Sequence, residues 1–116
     1  MHELAVTESL LRVVLRHARE SGAERVVGVS VRIGEPSDLV DDWVQRYFDH
    51  LSRDTIAAGA VIRIERMPST FRCGACGEVF PADLRSREAI RCPLCASGAA
   101  VMVSGRECLV HQIEVI

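Results

Sequence analysis

The sequence predicts an α+β fold: two helices packed on a three-stranded sheet, with a four-cysteine zinc-ribbon module inserted before the last strand. Three observations carry this reading. Two segments repeat apolar residues every three or four positions. Three others alternate with period two. Between the second and third of these lies a stretch without period that holds four of the five cysteines.

Residues 4–20 form the first expected helix. Leu4, Leu11, Val14, Leu15 and Ala18 fall near one face, widened by Leu10, while Arg12, Arg16, Arg19 and Glu20 take the other. Gly22 stands where a helix C-terminus commonly turns left-handed. Residues 25–33, RVVGVSVRI, follow as a strand with Val27, Val29, Val31 and Ile33 on one side, ended by Gly34 and Pro36. A second helix is expected over 38–57, with Leu39, Val40, Trp43, Val44, Tyr47, Phe48 and Leu51 as a broad apolar stripe and Gly59 at its exit. Strand 60–67 sets Ala60, Ile62 and Ile64 against Arg63 and Glu65, and Pro68 closes it. Residues 107–116 supply the last strand, with Leu109, His111, Ile113 and Val115 in one row. Cys108 is expected there as a buried small hydrophobe and His111 as a partly buried, hydrogen-bonded side chain. Two domains result: residues 1–68 plus 105–116, and the module 69–104.

Composition narrows the function. At 116 residues with 4% aromatics, the chain can bury one thin core filled by Val, Leu, Ile and Ala. Its net charge of −2 argues against a surface that tracks phosphates, although Arg72, Arg85, Arg87 and Arg91 gather in the module. All 14 basic residues are arginine, which fits a GC-rich genome rather than guanidinium chemistry. No apolar run is long enough to span a membrane, and Glu3, Glu8 and Arg12 interrupt any signal-peptide core. The expected location is cytoplasmic, where five cysteines point to metal binding or buried thiols rather than disulfides. No nucleophile–base pairing and no glycine-rich phosphate loop stands out, so the chain reads as a binding protein and not an enzyme.

The module carries the strongest signal. Cys73, Cys76, Cys92 and Cys95 follow C-x2-C-x15-C-x2-C, the spacing of a four-thiolate zinc site. Two residues between cysteines make a tight turn that sets both sulfurs on one side, and Gly74 and Gly77 ease it. The second turn has Ala96 where glycine fits more easily. Zn(II) is the expected ion, with iron in a rubredoxin-like site or disulfides under oxidation as alternatives. Four thiolates leave no open position, so the ion is structural.

The N-terminal Met1-His2-Glu3 segment offers a second metal chemistry. A free α-amine, the amide of residue 2 and its imidazole Nδ1 close five- and six-membered chelate rings in one plane. That suits square-planar Ni(II) or Cu(II) and suits zinc poorly. The amide of Glu3 or a distant side chain is the candidate fourth donor. On chemistry alone, a solvated terminal histidine is the simpler reading of His2.

Taken together, the motifs resemble one family. MHEL at the start, VRIGE after the first helix–strand unit, DTIAAGAVIRIERMP before the cysteines, the paired C-x2-C motifs and a terminal IEV occur in the order of the HypA/HybF family of hydrogenase nickel-incorporation proteins. The resemblance spans residues 1–116 and implies a nickel metallochaperone. It places Ni(II) as transient cargo on His2, with Met1 and Glu3 contributing backbone nitrogens, and structural Zn(II) on Cys73, Cys76, Cys92 and Cys95. The implied partners are a nickel-handling GTPase and the large subunit of [NiFe] hydrogenase, with neither membrane nor nucleic acid, and with a homodimer left open. A zinc-ribbon adaptor that binds nucleic acid or a protein without nickel is the alternative. Ala96, the EPSDLVDDW loop, and Cys108 and His111 in the last strand depart from the family pattern.

Overall fold

A computed structural model describes residues 2–84 and 88–116. Met1, Arg85 and Arg87, all named above, lie outside the described residues. The order is α1 (Glu3–Glu20), β1 (Val26–Gly34), α2 (Asp41–Leu51), β2 (Val61–Met67), β3 (Thr70–Cys73), β4 (Val79–Pro81), β5 (Ala100–Ser104) and β6 (Cys108–Val115). Two three-stranded sheets form, ordered β2-β1-β6 and β4-β3-β5. The fold is α+β, with two helices on the first sheet and a four-cysteine ribbon carrying the second. The chain divides into two compact units: Met1–Arg32, Asp38–Glu65 and Leu109–Ile116 in one, Ile33–Ser37 and Arg66–Cys108 in the other.

In the first unit most of the expected periodicity becomes a core, although Val27 of the expected β1 face is exposed and Val26, on the other face, is buried. Leu10, Leu11, Val14 and Ala18 of α1, Val29 and Val31 of β1, and Val44 and Phe48 of α2 are buried. Full burial of side chains such as Phe48 contributes about 1.5–3 kcal/mol each. Helix α1 begins with its own carbonyl bonds, Val6 N–H donating to the His2 carbonyl at 3.0 Å. It is tied to α2 by Glu3, whose carboxylate accepts the Val40 N–H at 3.3 Å, at the N-cap of α2.

Strand β1 is central in its sheet, and both neighbours are edges. The edge of β2 is partly closed by the Gln45 side-chain amide, which accepts the Ile62 N–H at 2.8 Å and donates to the Ala60 carbonyl at 3.3 Å. Across the sheet, Arg63 of β2 pairs with Glu114 of β6. The pair meets over Gly28, where a Cβ would lie 3.2 Å from the Glu114 carboxylate.

Several expectations need correction. The helix expected over 38–57 covers only Asp41–Leu51. Val40 is extended, with φ −94° and ψ 119°, so the segment before Asp41 is not helical. At the other end Thr55 returns two hydrogen bonds to the Ser52 carbonyl and Asp54 adopts φ 62°, so residues 52–59 form turns. Trp43 and Leu4, placed in apolar stripes, are 46% and 45% exposed. Cys108 and His111 are exposed rather than buried: along β6 only Val110 and Ile113 are even partly covered, so little packs over either face of the strand. Finally, the module that reads as aperiodic contains three strands.

Candidate metal centre

In the second unit, β3 pairs antiparallel with β4 on one side and β5 on the other, Phe71 facing Phe80 and Met102. Phe71 and Phe80 stack with ring centroids 6.1 Å apart and form a small core with Cys73 and Cys92, flanked by Ile90 and Met102. That core lies directly under the sulfur cluster, because two of its members are ligand candidates.

Cys73 ends β3, so the chain must turn there. It does so through Cys73–Gly77, with the Gly77 N–H donating to the Cys73 carbonyl at 2.9 Å and Gly77 at φ 79°. The second turn copies the first: the Ala96 N–H donates to the Cys92 carbonyl at 2.9 Å, and Ala96 sits at φ 61°. The four Sγ atoms of Cys73, Cys76, Cys92 and Cys95 all lie within 4.8 Å of one another, with Cys73–Cys95 and Cys76–Cys92 at 3.5 Å. A tetrahedron with Zn–S bonds of about 2.3 Å needs sulfurs about 3.8 Å apart. The donor set therefore fits zinc in both type and spacing.

The thiols are electrostatically unequal. The Cys76 N–H, and after it the Ala75 N–H, hydrogen-bond the Cys73 sulfur and hold its pKa down to about 6, against desolvation. For Cys76 the Glu78 N–H favours the thiolate, but its hydrogen bond with Cys92, desolvation and the adjacent Cys73 and Cys95 sulfurs together push it up to about 12. For Cys95 the Ser97 N–H also favours the thiolate, and the Cys73 sulfur and desolvation overcome it and raise the pKa. One sulfur of the cluster is thus prepared as an anion, and a divalent cation is what lets its neighbours join it.

Ala96 marks a weakness in the second turn. A left-handed backbone costs a residue with a Cβ roughly 1–2 kcal/mol, and glycine recovers most of it. We expect Ala96→Gly to stabilise this unit by about 1 kcal/mol, read as a higher chelator concentration at half-removal of zinc. No change, or a decrease, would show that the turn carries no such strain.

At the other expected metal site, His2 is exposed at the N-cap of α1 with φ −120° and ψ 18°, and Glu3 is the first helical residue, with little of it exposed. Sequence reasoning gives Glu3 only a backbone role and misses its side chain, which caps α2. No local signal reveals that contact, since it spans 37 positions. Among the described residues, the four cysteines are the one group of three or more His, Cys, Asp or Glu side chains clustered closely enough to hold a metal ion. Cys108 and the four histidines stand outside it.

Comparison with known proteins agrees with this architecture. The model of the family described as "Hydrogenase/urease nickel incorporation, metallochaperone, hypA" matches residues 1–115. Hydrogenase maturation factor HypA of Dehalococcoides mccartyi is 39% identical over 115 residues, covering 99% of this chain and 94% of the relative. The protein of the same description from Pyrococcus furiosus is 35% identical, covering 99% and 96%. In fold, the chain is similar to the solution structure of the Ni metallochaperone HypA from Helicobacter pylori, with a TM-score of 0.72, 23% identity and coverage of 100% and 98%. A second solution structure of a HypA protein gives a TM-score of 0.77 at 24% identity, with coverage of 100% and 97%. The match runs the length of the chain and includes both the helical unit and the ribbon: this chain belongs to the HypA family of nickel-incorporation metallochaperones.

Proposed function

We propose that this chain binds one Ni(II) through Met1, His2 and Glu3 and, with a nickel-handling GTPase, passes it to the large subunit of a [NiFe] hydrogenase. Zn(II) on Cys73, Cys76, Cys92 and Cys95 holds the ribbon. The setting is the cytoplasm, in line with the absence, among the described residues, of any helix long and apolar enough to cross a membrane.

The observation that supports this reading is the placement of His2 and Glu3 at the very start of α1. The first intrahelical bond goes from Val6 to the His2 carbonyl. The amide nitrogens of His2 and Glu3 precede that ladder, so metal coordination there leaves the helix ladder intact, and the Glu3 N–H gives up only its bond to its own carboxylate. His2 is exposed and its imidazole is accessible to an ion. The positive end of the helix dipole works against a bare dication. Deprotonated amides cancel that charge, and the result is a site of moderate affinity that gains strength with pH. Such a site delivers by ligand exchange: a recipient with more or stronger donors displaces the chelate stepwise, and no covalent bond of a substrate is broken.

Native mass spectrometry with Ni(II) tests the reading. The unmodified chain is expected to take up one nickel. His2→Ala, or two residues added before Met1, is expected to abolish that uptake while zinc on the four cysteines and helix content persist. Unchanged nickel stoichiometry and affinity in both variants would end the terminal-chelate proposal.

A further inference from the structure

The outer face of α2 is built unlike the surface around it. Trp43, the single tryptophan of the chain, is 46% exposed. The Arg46 guanidinium lies 5.1 Å over its ring, and the Tyr47 ring is 5.7 Å away. One turn earlier Val40 is 47% exposed, and in the first turn of α1 Leu4 is also uncovered. The Glu3–Val40 hydrogen bond ties these two first turns together. Tryptophan, tyrosine and arginine in one cluster, with Trp43 and Arg46 exposed and Tyr47 half-buried beside them, are the residue types that dominate binding energy at protein interfaces. Stacking already restricts the indole, so a partner that covers it loses little further side-chain entropy.

Charge adds to this. Residues 38–49 carry four aspartates against one arginine, a local acidic excess larger than the −2 of the whole chain. Asp38, Asp41 and Asp42 are exposed. The complementary occupant is therefore a protein surface that is basic and contains an apolar recess for the indole. A nucleic acid or an anionic membrane would be repelled.

We propose that the Leu4–Val40–Trp43 face, with its rim of aspartates, docks the protein that receives the nickel. The proposal rests on the delivery reading above and adds the surface: ligand exchange requires the recipient's donors to reach the ion, and this face begins one residue after Glu3. Trp43 supplies affinity, and the aspartates steer the encounter.

The experiment measures binding of the purified hydrogenase large-subunit precursor to the zinc-loaded chain by biolayer interferometry at low and high salt. Trp43→Ala is expected to weaken binding at least tenfold, Trp43→Phe to restore part of it, and Asp38→Asn with Asp42→Asn to slow association at low salt with convergence at high salt. Arg12→Ala, on α1, is expected to change nothing. Thermal unfolding and nickel uptake are read on every variant and are expected to match the parent. Undiminished precursor binding by Trp43→Ala, or no binding by the parent chain, overturns the docking surface. So does a Trp43→Ala variant that loses binding to the GTPase while keeping the precursor. Loss of nickel uptake by His2→Ala, with or without precursor binding, judges the delivery reading separately.

Discussion

Stripping the metal from the four-cysteine centre will unfold the ribbon and leave the helical unit folded. Residues 66–108 bury two phenylalanines and two of the cysteines themselves as their hydrophobic core. A segment of that size seldom folds on such a core without a metal or disulfides. Structural zinc contributes about 10–16 kcal/mol of apparent binding free energy near neutral pH, and here that is folding free energy. The effect should depend steeply on pH, with a determined sign. Without metal the ribbon is unfolded, the turn N–H groups no longer hold the Cys73 sulfur as an anion, and an unfolded thiol, with an ordinary pKa of about 8.5, carries its proton at neutral pH. Zinc takes thiolates, so binding coupled to folding displaces these protons, and affinity rises with pH and falls steeply, by more than about one decade per unit, as pH drops from about 8 to about 7. Competition against a chromophoric chelator across that range reads the slope. Amide NMR dispersion of β3–β5 after chelation reads the unfolding. Retained dispersion, or a slope near zero, would contradict both halves of the argument. Cys73→Ser should be the most damaging single change at the centre, since it removes the thiolate on which the Ala75 and Cys76 N–H groups converge.

Legibility from sequence follows the range of the interactions. Helix α1, strand β1 and the sulfur cluster are readable because their signals are local: a 3.6-residue stripe, a two-residue alternation, and two turns that each confine a sulfur pair. Strands β3 and β4 span four and three residues, too short for a period, and their register is set by the paired turns. The overrun of α2 has a specific cause. Ile56 and Ala57 continue the helical spacing from Ser52, and nothing nearby announces that Asp54 turns left-handed. Trp43 reads as inward because α2 is apolar around too much of its circumference for pattern alone to choose a face. The exposure of Cys108 and His111 follows from how little packs over β6, a tertiary fact to which an alternating pattern is blind. The Arg63–Glu114 pair over Gly28 joins three strands from distant parts of the chain. At the N-terminus, chemistry and family resemblance supply only the proposed chelate, and the fold alone supplies the capping role of Glu3.

Gly34→Ala will be among the most destabilising substitutions in this protein, although it adds one methyl group. Gly34 ends β1 and donates its N–H to the Glu107 carbonyl at 2.7 Å. A Cβ there would stand 1.7 Å from the Gly105 carbonyl oxygen and 2.4 Å from its carbon. Both obstacles are backbone, so no rotamer relieves the overlap and one chain segment must move. Gly105 cannot retreat easily: it holds φ 112°, its N–H is bound to the Glu107 carboxylate at 2.8 Å, and its own Cβ position is 2.8 Å from Ser69 Cα. The segments that enter and leave the ribbon therefore close on each other through two side-chain-free positions, with Arg66 fastening the Gly34 and Ser37 carbonyls beside them. Displacing these segments breaks several hydrogen bonds at once, and the expected loss is about 3 kcal/mol or more, at the upper end of what overpacking costs. Gly22→Ala provides the contrast. Gly22 has φ 69° but nothing within 4 Å of its Cβ position, so only the left-handed strain applies. That strain is worth about 1 kcal/mol. Equilibrium denaturation of the two variants separates steric closure from backbone conformation. Comparable small losses in both would mean that the Gly34–Gly105 approach relaxes freely.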